Sequence, residues 1–140
     1  MDITHYKAQH VEMLTAIHDM RELAHAGLVE HGNEIAQHLL RLRAVISLHL
    51  AREDNLLYPE IKRHGSAKMA RMADAYQAQM KQLSPVVVGF FDRWQKHGAI
   101  AREPEVFRQG ANTVLKALYF RIVKENRQFY PEVEAIDARA

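Results

Sequence analysis

The chain has 140 residues, 48% hydrophobic and 26% charged, with nine histidines and no cysteine. That length is one domain's worth of sequence, and the scarcity of Gly and Pro excludes disordered, collagenous and linker-rich classes. The missing cysteine excludes disulfide scaffolds, zinc fingers, iron–sulfur clusters and thiol nucleophiles.

Nineteen Lys and Arg against seventeen Asp and Glu leave a formal charge of +2. The signs are interleaved, which is no footprint for nucleic acid. The opening segment carries acids and His where a signal peptide needs a basic then an apolar run, and no window is apolar enough to span a bilayer. The expectation is a cytoplasmic protein that engages neither nucleic acid nor membrane.

Punctuation at Gly27 to Gly32, at His64-Gly65-Ser66 and from His97-Gly98 to Pro104 separates four segments with a helical apolar period. It predicts helices over about 3–30, 34–63, 67–96 and 104–136. Such short connections make sequential helices antiparallel, so the expected fold is an all-α, up-down-up-down four-helix bundle, one domain over 1–140.

At 100° per residue, His10, Met13, Leu14, Ile17 and Leu28 share the buried stripe of the first helix, with His5 opposite. Leu42, Val45, Ile46, His49, Glu53, Leu56 and Leu57 share that of the second. The third stripe is Met69, Met72, Tyr76, Met80, Leu83, Val87, Phe90 and Trp94. The fourth is Phe107, Val114, Leu118, Arg121, Ile122, Glu125 and Phe129. Of the other histidines, His18 and His25 flank the first stripe, and His38 lies about 16 Å along the helix axis from His49. His5, His31, His64 and His97 sit near termini or turns and are expected in solvent.

Sliding the second helix onto the fourth lays His49 over Arg121, Glu53 over Glu125, Leu57 over Phe129, and Tyr58-Pro59-Glu60-Ile61 over Tyr130-Pro131-Glu132-Val133. The chain reads as a duplicated helical hairpin with Glu53 and Glu125 at equivalent depths. On straight helical counting Tyr58 and Tyr130 point away from the core, where they are candidates for a partner-protein contact or a homodimer.

Two carboxylates on apolar stripes each need a cation or a donor, because an unpaired buried carboxylate either titrates to neutrality or destabilises the fold. His49 lies one turn before Glu53, and His10 is central on the facing stripe. Inward Glu and His on different helices form a nitrogen and oxygen donor set suited to iron, manganese or zinc.

The runs QHVEML, HLAREDNLLYPEI and RIVKENRQFYPEV resemble the hemerythrin-like HHE cation-binding domains over essentially the whole chain. The resemblance implies a four-helix bundle around a non-haem di-iron centre. His10, His49, Glu53 and Glu125 match family ligand positions. Tyr76 and Met80 stand where the third helix would carry two histidines, and Arg121 where the fourth would carry one. All three terminal ligands of one iron are thus replaced together, while the other iron's histidines and both bridging carboxylates remain.

Arg121 is always protonated and can stand in for a lost cation beside two carboxylates. Tyr76 reads as a core aromatic with its hydroxyl aimed at a carboxylate, and Met80 as core. The leading expectation is a metal-binding protein with one non-haem iron, or zinc or manganese, at His10, His49, Glu53 and Glu125. It would sense metal, oxygen, nitric oxide or redox state and would not carry oxygen. The alternative is a metal-free regulatory bundle that binds a partner protein or small ligand. A single-metal oxidase ranks last, because no catalytic base or substrate pocket is legible.

Overall fold

The computed structural model describes residues 2–139, and among them the chain is helical throughout, with no strand. Helices α1 (Thr4–Ala26) and α2 (Leu28–Arg52) are joined by Gly27 alone. Gly27 has φ +142°, a conformation that side-chain-bearing residues rarely adopt. Its N–H closes α1 onto the carbonyls of Leu23 and Ala24 at 3.1 and 3.2 Å.

The expected turn over Gly27 to Gly32 therefore contracts to one residue, and Gly32 lies inside α2. A Cβ there would stand 3.3 Å from Ile100 Cβ and from Ala101 N. Both belong to α5 (Ala99–Arg102), a short connector, so this glycine serves close packing rather than chain reversal.

Beyond Arg52 the second helix continues through a π-helical turn, Glu53–Leu57, into α3 (Tyr58–His64). Helix α4 (Ala67–Trp94) starts at Ser66, whose hydroxyl accepts the Met69 N–H at 3.2 Å. Helix α6 (Pro104–Lys124) opens on proline, whose missing N–H costs nothing in a first turn. A second π-helical turn, Glu125–Phe129, leads into α7 (Tyr130–Arg139).

Both π-turns start at the carboxylates of the internal repeat. Tyr58 N–H bonds to Glu53 O, and Tyr130 N–H bonds to Glu125 O, five residues back instead of four. Each turn thus holds an extra residue and rotates everything beyond it. Counting at 100° per residue fails there, and three expectations are corrected. Leu56 is 62% exposed rather than in the core, while Tyr58 and Tyr130 are 2% and 1% exposed rather than on the surface.

The core has two apolar parts. One is built on Met13, Ile17, Leu39, Leu42, Phe91, Trp94 and Leu118, and the other on Tyr6, Leu57, Tyr58, Tyr76, Phe129 and Tyr130. Along the helices, His10, His49, Glu53, Arg121 and Glu125 fall between residues of these two parts, and all five are buried. A polar layer inside an otherwise apolar core is tolerated only if its members satisfy one another or share a ligand.

Candidate metal centre

Helix α1 supplies His10 and α2 supplies His49. Burial pushes both imidazoles below their ordinary range, His49 to about 4. Each ring is therefore neutral near pH 7 and carries one N–H. His49 Nδ1 donates to Gln9 Oε1 at 2.8 Å, and His10 Nδ1 donates to Asn126 Oδ1 at 2.7 Å. The two Nε2 atoms are left bare and face each other across 3.1 Å. Amide oxygens that fix the outer ring proton and aim the inner lone pair are the arrangement that supports histidine metal ligands.

Glu53 and Glu125 are both essentially inaccessible to solvent. Tyr130 Oη donates to Glu53 Oε2 at 3.2 Å. His49 Nε2 lies 3.1 Å from Glu53 Oε1, but not in hydrogen-bond geometry. Among the described residues, Glu53 Oε1 and Glu125 Oε2 are the buried side-chain atoms with no hydrogen-bond partner. Burial, and then the adjacent Glu53, push Glu125 up to about 8, and burial raises Glu53 as well. With Glu125 protonated, that proton pairs the two otherwise unpartnered carboxyl oxygens with each other, and a cation would take its place.

The other side of the layer has its cation attached. Arg121 Nε donates to Glu125 Oε1 at 2.8 Å, Nη1 to Tyr76 O at 2.9 Å and Gln79 Oε1 at 3.0 Å, and Nη2 to Tyr58 Oη at 3.2 Å. The guanidinium also lies 4.6 Å from the centre of the Tyr76 ring. Tyr76 is corrected in one respect: its hydroxyl turns to Lys124 O at 3.5 Å, and what it offers the layer is its backbone carbonyl and its ring face. Met80 is buried.

The structure brings His10, His49 and Glu125 together, with one ligand atom from each inside a sphere where all pairs lie within 4.8 Å; among the described residues this is the group of three that could hold a metal ion. Glu53 adjoins it through His49. His5, His18, His25, His64 and His97 are exposed, and His31 and His38 half-buried. The layer also includes Gln9 and Asn126, which the sequence does not single out, and Tyr58 and Tyr130, which it places on the surface. The adjacency of Gln9 to His10 and of Asn126 to Glu125 is the available signal for two of them.

The residues present fit one cation. One ligand atom each from His10, His49 and Glu125 lies within 4.8 Å of the others, Glu53 stands outside that group of three, and the Arg121 guanidinium is fixed on Glu125 Oε1. An all-α bundle with inward His and Glu on different helices is the class of helical metal-binding domains. The profile of the hemerythrin HHE cation binding domain matches residues 1–133, and the chain belongs to that family. No curated protein and no solved structure gives a match.

Proposed function

We propose that this protein binds a single divalent or trivalent metal ion, non-haem iron in the first instance, and that occupancy or oxidation state of the ion is a signal rather than the basis of turnover or oxygen carriage. His10, His49 and Glu125 would hold the ion, with Glu53 beside His49 as the fourth donor. The carrying observation is the pair of bare Nε2 atoms at 3.1 Å. Two lone pairs at that distance repel, and an ion bound by both removes the repulsion while taking the place of the proton that the two carboxyls share.

A single-ion reading is supported by Arg121. Its four hydrogen-bonded partners, Glu125, Tyr58, Tyr76 and Gln79, leave it no freedom to vacate the space beside Glu125. Reversible dioxygen carriage of the di-iron kind draws one electron from each of two irons, and with one ion that chemistry is not expected. A sensing role is supported by the origin of the ligands, since the ion would tie α1 to α2 and both to the π-turn after α6, so its gain or loss would change helix packing. We place it outside the enzymes, in the cytoplasm. The metal-free scaffold loses one support, because Tyr58 and Tyr130 are in the core and are not available for a surface contact.

The test is metal analysis of untagged protein grown in medium supplemented with iron, zinc and manganese. About one equivalent is expected in the wild type, with loss of more than tenfold in His10→Ala and His49→Ala. Wild type without stoichiometric metal would overturn the proposal in favour of the metal-free bundle.

A further inference from the structure

Tyr130 stands where neither the repeat nor helical counting places it. The π-turn carries its ring inward, stacked on His10 with centroids 4.9 Å apart. Its hydroxyl oxygen lies 3.2 Å from His10 Nε2, 3.5 Å from His49 Nε2 and 3.2 Å from Glu53 Oε2. The hydroxyl has one proton, and Glu53 Oε2 accepts it. With the ring protons of both histidines committed to Gln9 and Asn126, three lone-pair-bearing atoms face one another with no hydrogen between them: two nitrogens and the phenol oxygen.

Donor atoms about 2.1 Å from one ion stand roughly 3.0 Å apart at an octahedral edge and roughly 3.4 Å apart at a tetrahedral one. The three separations here are 3.1, 3.2 and 3.5 Å. From this we infer that Tyr130 is a further ligand of the ion held by His10 and His49, binding ferric iron through its phenol oxygen as the phenolate. The inference rests on the metal-binding reading above and adds to it an oxygen donor from α7.

Ligation breaks the Tyr130 O–H bond. The oxygen's electron pair goes to the ion, and the proton leaves along the existing hydrogen bond to Glu53 Oε2 and on to solvent; no electron is exchanged when the ion is supplied as ferric iron. Tyr58 is the built-in control. It follows the equivalent π-turn and is equally buried, but its hydroxyl accepts from Arg121 Nη2, so it serves a fixed cation.

The test is to load metal-free wild type, Tyr130→Phe and Tyr58→Phe with ferric citrate and record iron content, visible absorption and resonance Raman spectra. The expected result is a phenolate-to-iron charge-transfer band with enhanced tyrosine ring modes in wild type and Tyr58→Phe, and loss of both in Tyr130→Phe. Circular dichroism shows whether each variant keeps its helices, and the wild-type Raman spectrum is informative even if a variant does not fold. Iron-containing wild type without the band, or a band that survives Tyr130→Phe, overturns the Tyr130 assignment and leaves the metal reading standing. Wild type that takes up no ferric iron overturns both.

Discussion

The two halves of the polar layer are built on one plan and neutralise their carboxylates differently. In each, a helix enters a π-turn at a glutamate, Glu53 or Glu125, and the tyrosine just beyond the turn reaches across to the other half. One turn before the glutamate stands His49 in one half and Arg121 in the other. The guanidinium is covalently attached and makes four hydrogen-bonded contacts, whereas the imidazole has its outer proton bound by Gln9 and its inner nitrogen bare. One half carries a permanent cation, and in the proposed reading the other receives an exchangeable one.

The largest expected effect comes from removing the permanent cation. Arg121→Met leaves Glu125 Oε1, Tyr58 Oη and the Tyr76 carbonyl without their donor, and breaking a buried pair in this way costs about 3–5 kcal/mol. Urea denaturation of metal-free protein measures it. A change below about 1 kcal/mol would mean that Glu125, held protonated, does not depend on Arg121, and the contrast between the halves would fail.

Next in size are the amides that aim the histidines. Gln9→Leu and Asn126→Leu each remove the acceptor that fixes a ring proton on Nδ1, and such outer contacts are worth about 10- to 100-fold in metal affinity. Competition titration against a chelator checks this. Unchanged affinity in both variants would show that the bare nitrogens are not held in place by Gln9 and Asn126.

The smallest effect is on pH dependence. Glu125 is raised to about 8 in the fold, so its contribution is present at low pH and is lost as pH rises through 8. His49 is lowered to about 4, so its contribution runs the other way, growing as pH rises from 4 towards its unfolded value of 6.5. The two oppose each other between about 4.5 and 6.5, and above that Glu125 acts alone. Glu53, Arg121, His10, Tyr58 and Tyr130 surround these groups; burial raises Glu53, as it does Glu125, and lowers His10, as it does His49. Metal-free protein is expected to melt at steadily lower temperature from pH 6.5 to 8.5. Ferrous-ion affinity is expected to rise over the same range, about tenfold per unit up to pH 8, because an entering ferrous ion displaces one proton from Glu125. Melting temperatures that rise with pH in metal-free protein would contradict the assignment.

Much of the fold and the site is legible in the residues. The stripes that carry His10, His49, Glu53, Arg121 and Glu125 obey a plain helical period, and all five lie in the core. The repeat identifies both carboxylates and the substituted position. The illegible part lies beyond the π-turns. A π-turn has no composition of its own, since DNLL and NRQF read as ordinary helix, and one inserted residue rotates the residues after it by about 100° around the helix axis. That is why Tyr58 and Tyr130, expected on the surface, lie in the site, and why Leu56, expected in the core, is in solvent. Gln9 and Asn126 escape for another reason: a neutral amide beside a stripe has no distinguishing pattern until the ring nitrogen that it faces is known.

Counting bound ions decides whether the layer holds one exchangeable cation beside a fixed one. Metal-free protein titrated anaerobically with ferrous iron, then subjected to equilibrium dialysis and iron analysis, is expected to saturate at one ion per chain in the wild type and near zero in His10→Ala. Saturation at two ions per chain would mean that Arg121 yields its place and that the halves are equivalent. Saturation at none would mean that the His10 and His49 side is a polar core and not a metal site.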